Sequence, residues 1–250
     1  MPKSAPVGWL LIRGLGREAR HWFDFPDHLT AASGAPCLAL DLPGTGTEAH
    51  RPSPTSVREI ASDVLERFVA KNAEPRWGLL GLSLGGMVAL EVAQLAPLAF
   101  SHIVLVNSSS TLSPSSKRMK PRALLKLTVA LSQSSALERE KHIYALNTYS
   151  PSARERAIPA ATFFETAPMQ ASTVLRQLLA AARYAAPGQL QQRCLVVNAR
   201  LDGMVAPSCS ARLARHFLAE RVEHPFAGHD LPCDDPGWLA RRVSSWALDG

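Results

Sequence analysis

Short blocks of consecutive apolar residues alternate along this chain with longer stretches in which apolar positions recur every three or four residues. The blocks at Val7 to Ile12, Pro36 to Leu42, Gly78 to Gly81, His102 to Val106, Cys194 to Asn198 and Val222 to Phe226 read as strands buried on both faces. The stretches between them read as helices. Glu18 to Ala32 is one, although Pro26 must break or kink it. Ser56-Val57-Arg58-Glu59 fits a capping box that opens a second, continued by Ile60, Ala61, Val64, Leu65 and Phe68. Met87 to Leu95, Ser208 to Leu218 and Pro236 to Ala247 complete the set. Strands alternating with helices predict an α/β fold, a mostly parallel sheet covered by helices on both faces.

The alternation is interrupted once. From Thr111 to about Gly188 the pattern is helical only, and prolines at 114, 121, 151, 159, 168 and 187 cut it into short helices. Gln170 to Ala186 is the clearest, with Val174, Leu175, Leu178, Leu179 and Ala182 on one face. The expected organisation is therefore a core formed by residues 1–110 and 188–250, with residues 111–187 inserted as a helical cap.

Parallel sheets of this kind place their sites at the carboxyl ends of strands, and several of these ends carry reactive residues. The Gly78 to Gly81 strand runs into Gly81-Leu82-Ser83-Leu84-Gly85, a G-x-S-x-G nucleophile elbow leading into a helix. A serine hydroxyl attacks well only when a tight, strained turn holds it clear of the backbone, and Gly81 and Gly85 make room for that turn. Ser83 is the candidate nucleophile. His229 follows a strand in Phe226-Ala227-Gly228-His229, so it is the candidate base. The other seven histidines lie on helix faces, within strands or in loops and read as structural, His102 least clearly. Asp202, in Arg200-Leu201-Asp202-Gly203 after another strand, is the candidate carboxylate to orient the imidazole. Asp230 and Asp234 are nearer His229 along the chain, but adjacency points them the wrong way. A tetrahedral intermediate needs two backbone donors, and the N–H groups of Leu84 and Leu15 are the candidates, the latter between Gly14 and Gly16. Arg13, Arg17 and Arg20 lie near this site and could hold a substrate carboxylate.

Composition narrows the setting. The 250 residues are 46% hydrophobic, and the mean hydropathy of −0.01 fits a soluble globular protein. No segment has membrane-spanning length, and the apolar run near the N-terminus is too short for a signal peptide. Cys37, Cys194, Cys209 and Cys233 are scattered, so they read as buried thiols in a reducing compartment, with cytoplasm the expected location. No ligand cluster or phosphate loop calls for a metal, nucleotide or flavin. The net charge is +6, and residues 111–187 alone carry eleven Lys and Arg against four Glu. Two readings of that segment stand: a solvated set of helix faces, or a surface that attracts an acidic partner. Nucleic acid is disfavoured, since no recognised binding motif accompanies the charge.

The segments RGLG (13–16), DLPGTG (41–46), GLSLGG (81–86), RLDGMV (200–205) and GHDLPCDDP (228–236) resemble the α/β-hydrolase superfamily over nearly the whole chain. Within it the chain is similar to small capped bacterial carboxylesterases, including those acting on pimeloyl-acyl-carrier-protein methyl ester. The order Ser, Asp, His along the chain is that of the fold. The resemblance implies a serine hydrolase cleaving carboxylic esters, with acyl carrier protein as a candidate partner at the basic cap. It also implies thioester, carbon–carbon bond or perhydrolase chemistry as alternatives on the same triad. A ligand receptor without turnover stands as a separate class. Serine rather than aspartate at the elbow argues against haloalkane dehalogenase and epoxide hydrolase chemistry. The chain departs from the family in having Arg13-Gly14 where most members have His-Gly, so the oxyanion loop must be braced differently. Leu15 and Leu82 also replace tryptophans of the carrier-linked esterases, which changes the pocket walls.

Overall fold

The computed structural model describes residues 5–71 and 76–249, so the first four residues of the N-terminal stretch considered above lie outside it. Six strands, β1 (Trp9–Ile12), β2 (Cys37–Leu40), β3 (Trp77–Leu82), β4 (Phe100–Val106), β5 (Arg193–Ala199) and β6 (Glu220–His224), form one sheet in the order β2-β1-β3-β4-β5-β6. Every neighbouring pair is parallel. From β1 the chain winds first to β2 on one side and then to β3 on the other. The loops leaving β1 and β3 diverge there and open a crevice at their carboxyl ends.

Helices α1 (Phe25–Ser33), α2 (Val57–Val69) and α3 (Leu84–Leu95) precede β4. Between β4 and β5 come α4 (Ser115–Arg118), α5 (Pro121–Leu131), α6 (Ala136–Asn147), α7 (Pro151–Glu155), α8 (Ala157–Thr166) and α9 (Ala171–Arg183). Then follow α10 (Pro207–Phe217), α11 (Leu231–Asp234) and α12 (Pro236–Leu248). Alternate strand residues feed two cores, as the period of a strand requires. Leu10 and Ile12 of β1 pack with Leu79, Ile103 and Val196 under Ile60, Val64, Val88 and Leu213 of α2, α3 and α10. Trp9 and Leu11 pack the other way, with Leu80, Val104 and Val197 under Phe25, Leu29, Leu239 and Val243 of α1 and α12. Both faces are therefore covered, which is why the strands read as continuous apolar runs. Among the described residues no helix is long and apolar enough to cross a membrane.

Three local expectations are corrected. Glu18 to Ala32 is divided at Pro26 as expected, but not in mid-helix: a 3-10 turn at Ala19–Trp22 ends before α1 begins, and Pro26 sits in the first turn of α1, where its missing N–H is no loss. Ser56 does precede α2, yet its side chain makes no capping hydrogen bond, so the capping box does not form. The last strand lies at Glu220–His224, and Phe226 beyond it is exposed. An edge strand is only half covered, so its apolar residues do not mark its ends.

Candidate active site

The elbow is strained as its sequence requires. Ser83 joins β3 to α3 at φ 58°, ψ −117°, a conformation that costs a non-glycine residue on the order of 1–3 kcal/mol. Surrounding bonds hold it there: Ser83 N–H donates to the Val106 carbonyl at 2.8 Å, and the Ser108 hydroxyl donates to the Ser83 carbonyl at 2.8 Å. A Cβ on Gly81 would collide with the Gly85 carbonyl, and one on Gly85 with the carbonyls of Ile12 and Arg13. The start of α3 is thus pressed against the end of β1. A Cβ added to Gly14 would come within 3.2 Å of Ser83 Cβ, so the loop after β1 passes directly beside the hydroxyl-bearing residue.

Two backbone donors in this region are unclaimed. Among the described residues neither the Leu84 N–H, at the start of α3, nor the Leu15 N–H has a hydrogen-bond partner. The neighbouring Gly16 N–H is taken by Gln177 Oε1 of α9 at 2.8 Å. Gln177 is fully buried amid an apolar helix face.

Asp202 and His229 meet although 27 residues separate them, with His229 Nδ1 2.8 Å from Asp202 Oδ2. The other carboxylate oxygen, Oδ1, accepts from the N–H groups of Met204 and Val205 at 2.7 and 2.8 Å. Both side chains are buried. Ser83 and His229 border one cavity of about 370 Å³. The Ser83 hydroxyl and the imidazole are not hydrogen-bonded to each other here. Bonds of this type are often long until a substrate tightens them.

Asn107, at the end of β4, ties these loops together. Its Nδ2 donates to the His229 carbonyl at 2.8 Å and the Gly228 carbonyl at 3.3 Å, while its Oδ1 accepts from Ala199 N–H at 2.8 Å. It sits at φ 48°, which asparagine tolerates better than most residues. The sequence shows it as a polar residue closing the apolar run His-Ile-Val-Leu-Val, a signal that marks a strand end and not the role. Asn107→Ala strands the Ala199 N–H and two carbonyls in the interior, so it is expected to cost about 2–4 kcal/mol of stability. The urea midpoint should fall with an unchanged slope.

The arginines expected to be open to a substrate carboxylate are already paired. Arg13 donates to both oxygens of Asp230, at 3.0 and 2.6 Å, and lies over the Trp22 ring. Arg17 donates to Glu140 at 2.7 Å and to the Tyr144 hydroxyl at 3.0 Å, both on α6. Arg20 is bound by Glu18, Thr166 and the Phe163 carbonyl. Burial works against the Arg13 and Arg17 cations, but Asp230 and Glu140 more than offset it and hold both guanidinium groups above their usual range. Burial, followed by the charges of Arg17 and Arg13, pushes His21 well below the ordinary imidazole range, so this second cavity histidine is neutral.

Apolar side chains make up most of the cavity wall, among them Met87, Leu127, Ile143, Met169, Val174 and Met204. Four of these six come from the segment between β4 and β5. The cysteines are free thiols; burial raises Cys194 to about 12 and raises Cys233 as well, which leaves both unreactive.

Known proteins resemble this chain to different extents. An esterase of Mycobacterium tuberculosis is 32% identical over 98 residues, and the match spans 39% of this chain and 32% of that esterase's length. A protein of Variovorax paradoxus named for carbamate hydrolase activity is 29% identical over 232 residues, covering 88% of this chain and 84% of that one. The crystal structure of a hydrolase from Pseudomonas aeruginosa superposes with a TM-score of 0.74 at 25% identity, covering 99% of this chain and 92% of that one. The family model of the alpha/beta hydrolases matches residues 9–242, and with the parallel sheet and strand-to-helix elbow it establishes that this chain belongs to the alpha/beta hydrolase family.

Proposed function

We propose that this hydrolase cleaves carboxylic esters through an acyl-enzyme on Ser83. The observation that carries the reading is the His229–Asp202 contact at 2.8 Å beside a cavity that the strained Ser83 also borders. In the first half-reaction Ser83 Oγ attacks the ester carbonyl while its proton passes to His229 Nε2. Asp202 accepts from Nδ1 and stabilises the imidazolium. The N–H groups of Leu15 and Leu84 receive the developing oxyanion. As the intermediate collapses, the carbon–oxygen bond to the alcohol breaks and the alkoxide takes the proton from His229. Water then attacks the acyl-enzyme, giving one proton to His229. The carboxylic acid leaves as that proton returns to Ser83.

The cavity favours a neutral aliphatic acyl group. Its wall is largely apolar, and Arg13 and Arg17 are neutralised by Asp230 and Glu140. A fluorophosphonate probe is expected to label Ser83 stoichiometrically, read by peptide mass. Among p-nitrophenyl esters, butyrate to octanoate should exceed acetate in kcat/KM, by roughly 1–2 kcal/mol of transition-state binding for two added methylenes. A monoester ending in a free carboxylate should be slower than its neutral equal. Failure to label Ser83 would overturn the acyl-enzyme reading, and a preference for acetate or for the free carboxylate would overturn the acyl-group reading.

A carrier-linked acyl group is the second reading, supported by the surface of α5. Leu124, Leu125 and Val129 are exposed there beside Arg122 and Lys126. Much of the remaining cap charge is used internally, since Arg156 pairs with Asp24, Lys141 with Glu138, and Arg118 with carbonyls at the end of α9.

A further inference from the structure

Arg13 leads into the loop that carries Leu15, and Asp230 follows His229. The two are 217 residues apart in sequence, yet they form a two-pronged ion pair with side chains only 2% and 6% exposed. Both border the cavity. Each loop is also anchored elsewhere. The loop after β1 is held by Gln177 through Gly16. The histidine loop is held by Asn107 and by the Asn147 carbonyl, which accepts from Asp230 N–H at 2.9 Å. None of those bonds joins the two loops directly. Arg13–Asp230 does.

We propose that Arg13 and Asp230 are positioning residues, a clasp that sets the His229 loop against the Leu15 loop and balances the charge beside the imidazole. The catalytic part of this proposal rests on the ester-hydrolase reading. A guanidinium fork gripping both oxygens of a carboxylate fixes angle as well as distance, which a single donor cannot do. The pair also cancels two charges at a position adjacent to His229. Asp202, on the loop after β5, contacts that imidazole, and Lys120 donates to the Asp202 carbonyl; Arg17 and Glu140, paired with each other, border the same cavity as His229, with Tyr144 bonded to Arg17. Asp234 accepts from Gly228 N–H on the same loop, and the Cys233 thiol faces the His21 carbonyl. Burial alone would push the Asp230 carboxyl up, but Arg13, then Arg17 and His229, hold it below the usual range. In general a carboxylate beside an imidazole favours its protonated form and a guanidinium disfavours it, and removing either member of the pair leaves the other's charge uncompensated next to His229. An uncompensated Asp230 therefore favours the imidazolium and an uncompensated Arg13 disfavours it.

Three variants test this in the full chain. Asp230→Asn keeps the shape and removes the carboxylate, so the acid limb of kcat/KM for a p-nitrophenyl ester should move down by about one pH unit. Arg13→Met should move it up by a similar amount. Arg13→Lys keeps the charge but loses the fork, so the limb should stay in place while kcat falls about tenfold at nearly unchanged KM. A merely structural pair would not shift the limb in opposite directions. Nuclear magnetic resonance of the His229 Cε1–H signal reads the same opposed titration shifts without turnover. Opposed shifts in a chain that hydrolyses no ester would refute the esterase reading and keep the charge balance of the clasp. An active enzyme in which Asp230→Asn and Arg13→Lys both retain the wild-type limb and kcat would refute the clasp. Should Arg13→Met fail to fold, the other two variants decide.

Discussion

Ser83→Ala is expected to lower kcat/KM for p-nitrophenyl esters by about 10⁵–10⁶-fold and to abolish labelling by a fluorophosphonate. The size follows from the proposed division of work: without the hydroxyl neither His229 nor Asp202 has a proton transfer to assist. What remains is binding and the two backbone donors, Leu15 and Leu84. The same position makes a second, opposite prediction. Ser83 is held at φ 58° and ψ −117° by the fold around it. Glycine adopts that conformation with little strain, so Ser83→Gly should unfold at higher temperature than the parent, by about 1 kcal/mol of stability, while inactive. Equal or lower stability of Ser83→Gly would show that the turn stores no strain. Less than a hundredfold loss in Ser83→Ala would show that another group attacks.

Asp202→Asn is expected to cost about 10⁴-fold in kcat. The hydrogen bonds give the reason. Met204 and Val205 direct two N–H groups at Oδ1, so an amide there must keep its oxygen on that side. Its NH₂ then faces His229 Nδ1, which can only accept. The neutral imidazole is driven to the tautomer protonated on Nε2, the atom that has to take the proton of Ser83. Stability should change far less than activity, because the buried contacts are kept in number. The check is a parallel measurement of kcat and urea midpoint. A loss below tenfold would mean that Asp202 does not orient the imidazole.

How much of this was readable beforehand depends on how local each signal is. The apolar blocks marked all six strands because both faces of the sheet are covered, and only β6, half covered at the edge, was displaced. Ser83, Asp202 and His229 could each be nominated from a few neighbouring residues, since each follows a strand. The fate of Arg13 could not be read in that way. An arginine beside a site looks like a substrate ligand until its partner is known, and that partner lies at the other end of the chain. Asp230 likewise reads only as an acid pointed away from the imidazole, with no local sign of its use against Arg13. Gln177 and Asn107 present the same difficulty, as their importance lies in bonds to distant backbone atoms. Ser56 shows the converse: the right residues for a cap were present, and the side-chain bond did not form.

Besides the Arg13–Asp230 pair, two contacts brace the β1 loop, Arg17 with Glu140 and Gly16 with Gln177, and both reach helices that wall the cavity. Lifting α6 or α9 to admit a bulky molecule would pull on residues adjacent to Leu15. Under the proposed mechanism, admitting a substrate past these helices and holding the Leu15 donor in place would draw on the same stretch of backbone.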